Sequence, residues 1–68
     1  MIINVNGIAK EIVPGTTIYE IVCSLCESPP PSGIAVAQNN DVIPRSLWKS
    51  QIVSANDDIE ILWASSGG

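Results

Sequence analysis

Asn6-Gly7, set between the strand-like run Ile2-Ile3-Asn4-Val5 and residues 8–13, constrains the fold more than any other stretch. A two-residue type I′ turn needs positive φ at both central positions, which Asn and Gly tolerate and most residues do not. The first two strands are therefore expected to be antiparallel neighbours. Pro14-Gly15 ends the second strand, and Thr17-Ile18-Tyr19-Glu20 then has capping-box spacing, with Thr17 as N-cap and Glu20 reaching back to it. Ile18, Ile21, Val22 and Leu25 follow at i, i+3, i+4 and i+7, which predicts a helix to about residue 27 with this stripe on the core.

Residues 28–33, Ser-Pro-Pro-Pro-Ser-Gly, cannot continue a helix and predict an extended, stiff crossover link. Ile34-Ala35-Val36-Ala37 reads as a third strand, Asn39-Asn40-Asp41 as a turn, and Val42-Ile43 as a short strand closed by Pro44. A brief helical or turn segment follows over residues 45–49, then a turn at Ala55-Asn56-Asp57-Asp58 and a last strand, Ile59-Glu60-Ile61-Leu62-Trp63. Alternation puts Ile59 and Ile61 on one face and Glu60 and Leu62 on the other, making Leu62 a candidate exposed contact. The order predicts an α+β fold in two layers, one sheet of four to five strands with one helix across it. With the first and last strands parallel in the middle of the sheet, this is the ubiquitin-like β-grasp, here occupying residues 1–64.

A chain of 68 residues forms one domain with a thin core. Only 15% of its residues are charged, which leaves uncharged surface for docking. Three basic against seven acidic residues give a net charge of −4, opposing phosphate backbones and anionic membranes and favouring a basic protein surface as partner. No apolar stretch has membrane-spanning length, and Met1-Ile2-Ile3 is strand-like rather than leader-like, so a cytoplasmic protein is expected.

Internal chemistry is sparse. Histidine is absent, which removes His-dependent triads and His metal sites, and Gly7, Gly15 and Gly33 are isolated turn residues rather than a phosphate loop. Cys23-Ser24-Leu25-Cys26 matches Cys-x-x-Cys, but near the helix's C-terminal end, where the dipole opposes thiolate and Glu27 adds like charge. Zinc would need two further ligands that no second Cys/His pair supplies, so the pair reads as small hydrophobes at or near the core. Asp57, Asp58 and Glu60 read as a solvated acidic patch able to meet a partner's cations. Trp48 and Trp63 read as core or core-edge residues.

The tail Ser65-Ser66-Gly67-Gly68 has nothing to bury and is expected to be flexible. Successive glycines make a thread slim enough for a channel, and four extended residues reach about 13 Å at roughly 3.3 Å each. The terminal α-carboxylate is ionised at neutral pH and is a poor electrophile, so it reacts only after activation by a separate enzyme that holds ATP.

The hairpin is followed by Gly15-Thr16-Thr17-Ile18-Tyr19-Glu20, by Val36-Ala37-Gln38-Asn39 leading to Val42-Ile43-Pro44-Arg45 and Trp48, and by Asp58-Ile59-Glu60-Ile61 and Gly67-Gly68. In these segments, over nearly its whole length, the chain resembles the thiamine-biosynthesis sulfur-carrier proteins (ThiS). The resemblance implies a β-grasp carrier with no cofactor bound and no catalysis of its own. A ubiquitin-activating-type adenylyltransferase would adenylate Gly68 with ATP, and a persulfide derived from a cysteine desulfurase would convert it to a thiocarboxylate. Thiazole synthase would take the sulfur. Gly67 would allow close passage through both partners, and Arg45 and Leu62 are docking candidates by position. Asn56 stands where the family often has glycine, and Ser65 where it often has an apolar residue. The small subunit of molybdopterin synthase, a ubiquitin-like modifier and a plain interaction module with an inert tail are the alternative readings.

Overall fold

The structure, a computed structural model, describes residues 1–26, 30 and 32–63. Strands β1 (Ile2–Val5), β2 (Ile8–Glu11), β3 (Ile34–Gln38), β4 (Asp41–Val42) and β5 (Asp58–Trp63) form one sheet in the order β2-β1-β5-β3-β4. Helix α1 (Ile18–Leu25) lies between β2 and β3 in sequence, and a 3₁₀ turn, Arg45–Leu47, follows β4. β1 and β5 are parallel at the centre of the sheet, and the other pairings are antiparallel. This is the ubiquitin-like β-grasp arrangement that the order of elements predicts.

Asn6 (φ 51°) and Gly7 (φ 81°) both take the positive φ that the turn demands, and Val5 pairs directly with Ile8. The Asn6 side chain then continues where β1 stops. Its Oδ1 accepts the Ile61 N–H at 2.8 Å and its Nδ2 donates to the Ile61 carbonyl at 3.3 Å. One side chain thus extends the central parallel ladder by a position.

The four leading N–H groups of a helix have no partner within it. Here Ile18 N–H donates to the Gln51 carbonyl at 2.9 Å and Tyr19 N–H to the Trp48 carbonyl at 3.1 Å. Glu20 N–H donates to Thr17 Oγ1, while Glu20 Oε1 accepts from Thr17 N–H at 3.0 Å, completing the expected capping box. Capping therefore joins α1 to the 48–51 segment as well as ending it. The core is closed by Ile3 and Val5 of β1, Ile18, Ile21 and Val22 of α1, Ile34 and Val36 of β3, Ile59 and Ile61 of β5, and by Trp48 and Val53. Full burial of one such aliphatic side chain contributes about 1.5–3 kcal/mol. Trp48 is 1% exposed, with its indole N–H donating to the Ile43 carbonyl at 2.9 Å.

Several boundaries and burials differ from the sequence expectation. β2 ends at Glu11 rather than residue 13, although Ile12 still exchanges hydrogen bonds with Met1. The helix ends at Leu25 with Cys26 as its cap, short of residue 27. Leu25 is exposed instead of joining the buried stripe, because it stands in the final turn beyond the buried Ile21 and Val22. Asp41 belongs to β4 and Asp58 to β5, so each flanking turn is tighter than expected. Trp63 is 57% exposed rather than core or core-edge: it pairs with Ile34 where β3 and β5 meet at the end of the sheet. Asp57, expected to be solvated, is 8% exposed.

Candidate functional site

β5 carries the candidate site because it occupies the centre of the sheet and leads directly towards the C-terminus. Its alternation is as expected: Ile59 and Ile61 are buried, and Asp58, Glu60 and Leu62 are exposed. Leu62 pairs with Ala35 and Glu60 with Ala37 on β3, and Ala37 pairs in turn with Val42. Paired residues share a face, so Leu62, Ala35, Ala37 and Val42 form an apolar strip on the side of the sheet opposite α1. Carboxylates line the same face of β5. A shallow cleft lined by Asn6, Gly7, Asp58, Glu60, Ile61 and Leu62 runs beside it.

Arg45, the second docking candidate, is exposed but engaged. Its guanidinium donates to the Pro30 carbonyl and lies 5.1 Å from the centre of the Trp48 ring. It therefore ties the proline-rich crossover to the 3₁₀ turn. Ser65, Ser66, Gly67 and Gly68, and with them the expected flexibility of the tail, lie outside the described residues.

What the sequence did not reveal is the junction that sets the start of β5. Asp57 accepts hydrogen bonds from Gln38 Nε2 at 2.7 Å, Asn39 Nδ2 at 3.0 Å and the Ser54 N–H at 2.7 Å. Burial pushes its pKa up, but the bonds from Asn39, Ser54 and Gln38 outweigh that and hold the carboxyl below its usual range. Gln51 Nε2 donates to Gln38 Oε1 at 2.8 Å, and Asn39 Oδ1 accepts the Asp58 N–H at 2.9 Å. Asp57 is thus a structural clasp joining the β3–β4 turn to the loop before β5, not part of an acidic docking patch. Asn56 beside it adopts φ 67°, a left-handed conformation that asparagine tolerates better than most residues.

Among the described residues no group of three or more Cys, Asp or Glu side chains is arranged to hold a metal ion. No helix among them is long and apolar enough to cross a membrane. Cys23 and Cys26 are of intermediate exposure, Cys26 packing against the core.

The profile of the ThiS family matches residues 3–68. A crystal structure of thiamine biosynthesis protein ThiS from Geobacter metallireducens superposes with a TM-score of 0.81, at 23% identity and over 100% of both chains. That likeness agrees with the β-grasp topology. No curated protein sequence matches the chain.

Proposed function

Because this chain belongs to the ThiS family, we propose that it is a cytoplasmic sulfur carrier of thiamine biosynthesis whose Gly68 carboxylate is a substrate for other enzymes. The family match, which runs through the terminal Gly67-Gly68, is the observation that carries this reading. An adenylyltransferase of the ubiquitin-activating type joins Gly68 to the AMP portion of ATP and releases pyrophosphate. The terminal sulfur of a persulfide displaces AMP, and a thiol then reduces the remaining S–S bond, leaving a thiocarboxylate. Thiazole synthase takes that sulfur into the thiazole ring.

In this reading the body of the protein presents the tail, and β5 aims it. Leu62 and its alanine neighbours offer an apolar contact, with Asp58 and Glu60 complementing cations on the activating enzyme. Arg45 is the second docking contact, held in place by Pro30 and Trp48. Ser65, Ser66 and Gly67 are the thread that enters the partners' channels.

Reconstituted thiazole formation tests the proposal. The full chain should support turnover by thiazole synthase in the presence of the activating enzyme, ATP and a persulfide donor, whereas a chain lacking Gly68 should support none. Equal support from both chains would contradict it. If the sulfur instead reached molybdopterin and not thiazole, the carrier chemistry would stand and the branch would be wrong.

A further inference from the structure

Residues 64–68 follow directly on β5, and the last two residues of that strand face opposite ways. Leu62 lies on the outer face of the sheet, paired with Ala35, and is 56% exposed. Trp63 lies on the face of Ile59 and Ile61 and is 57% exposed, although Ile34, its pair on β3, is buried. The root of the tail thus carries a large apolar side chain on each face.

A single exposed apolar residue is ordinary on a folded protein, but Trp63 is held where it stands. Its strand pairs with β3 from residue 59 to residue 63. Two residues before it, the Asn6 side chain takes both the N–H of Ile61 at 2.8 Å and its carbonyl at 3.3 Å. The tryptophan therefore ends a pinned central strand, and ordering it against a partner costs little conformational entropy. Tryptophan is among the side chains that most often dominate an interface. Trp48, the other tryptophan, is 1% exposed with its indole N–H donated to Ile43, which leaves Trp63 as the one that a partner can reach.

The length of chain beyond β5 says what covers this ring. Five residues follow Trp63, and fully extended they span at most about 18 Å. An enzyme that adenylates the Gly68 carboxyl must bring the mouth of its site within that distance, and each residue drawn into the channel brings the mouth closer by about 3.3 Å. A mouth that closes around the end of a strand meets both of its faces. We propose, resting on the carrier reading above, that Trp63 is a specificity-determining docking residue for the activating enzyme. Its ring packs on an apolar wall of the channel mouth, across the strand from the wall that Leu62 meets. Gripping β5 from both faces fixes the direction in which the tail enters.

Hydroxyl-radical footprinting of the full-length chain, free and saturated with the activating enzyme, tests this together with pyrophosphate-release kinetics. Trp63 should oxidise readily in the free chain and be protected several-fold in the complex, with Trp48 resistant in both. Trp63→Ala should raise the KM for the carrier about tenfold or more with kcat near its original value, and Trp63→Phe should recover most of the loss. The Tm of both variants should stay close to that of the original protein, because the ring is mostly outside the core. Trp63 oxidised equally in both states, or an unchanged KM for Trp63→Ala, while pyrophosphate is released normally, would overturn this inference and leave the carrier reading standing. No pyrophosphate release with the full chain would remove both. Protection of Trp63 that grows with the concentration of the carrier alone would assign the surface to a second copy and overturn the proposal.

Discussion

Asp57 shows how much one side chain can organise. Three donors converge on a carboxylate that is almost wholly buried, and hydrogen bonds to a charged group contribute about 1.5–3 kcal/mol. Asp57→Asn removes the charge and turns an amide N–H₂ towards those donors, so urea unfolding at neutral pH should show a loss of about 1–3 kcal/mol. Because the folded pKa lies below the ordinary carboxylate value, this stabilisation is present above that value and is lost as pH falls through the folded one. The gap between the original protein and Asp57→Asn should therefore narrow steadily in acid. Asn56, at φ 67°, gives a second test: Asn56→Gly should change stability little, whereas Asn56→Val should cost about 1–2 kcal/mol, read as a lower Tm. The turn that holds Asn56 was legible because it depends on local backbone chemistry. The burial of Asp57 was not, since its side-chain partners come from Gln38 and Asn39, distant in sequence.

Among the elements, α1 and the first hairpin were readable because their signals lie within a few residues. Thr17 and Glu20 cap one another, and Asn6-Gly7 sets the register Val5–Ile8. Hidden from any local pattern were the long-range uses of the same parts. The first two helical N–H groups bond to the carbonyls of Gln51 and Trp48, and Asn6 grips Ile61 across the sheet. Trp63 was misjudged for a related reason, as strand alternation gives the face of a residue but not its distance from the end of the sheet. Thr17→Ala should lower stability by about 1 kcal/mol in chemical denaturation. A change well below a few tenths of a kcal/mol would mean that the tertiary bonds from the 48–51 segment, rather than the capping box, hold the helix start.

For the whole molecule, the β-grasp puts its last strand in the centre of the sheet, with an apolar strip and two carboxylates on one face and the core on the other. Leu62 is 56% exposed and adds little to the core, so Leu62→Ala should alter stability by no more than about 0.5 kcal/mol. In pyrophosphate-release assays with the activating enzyme it should raise the KM for the carrier several-fold while leaving kcat near its original value, as loss of uniform binding does. In the proposed function the chemistry belongs to Gly68, which the sequence offers only as the last of a run of small residues. Intact-mass measurement after incubation with the activating enzyme, ATP and a persulfide donor addresses that claim directly. The account predicts a mass gain equal to replacing one oxygen by sulfur, localised to Gly68; an unchanged mass in a mixture that thiolates a known carrier would contradict it.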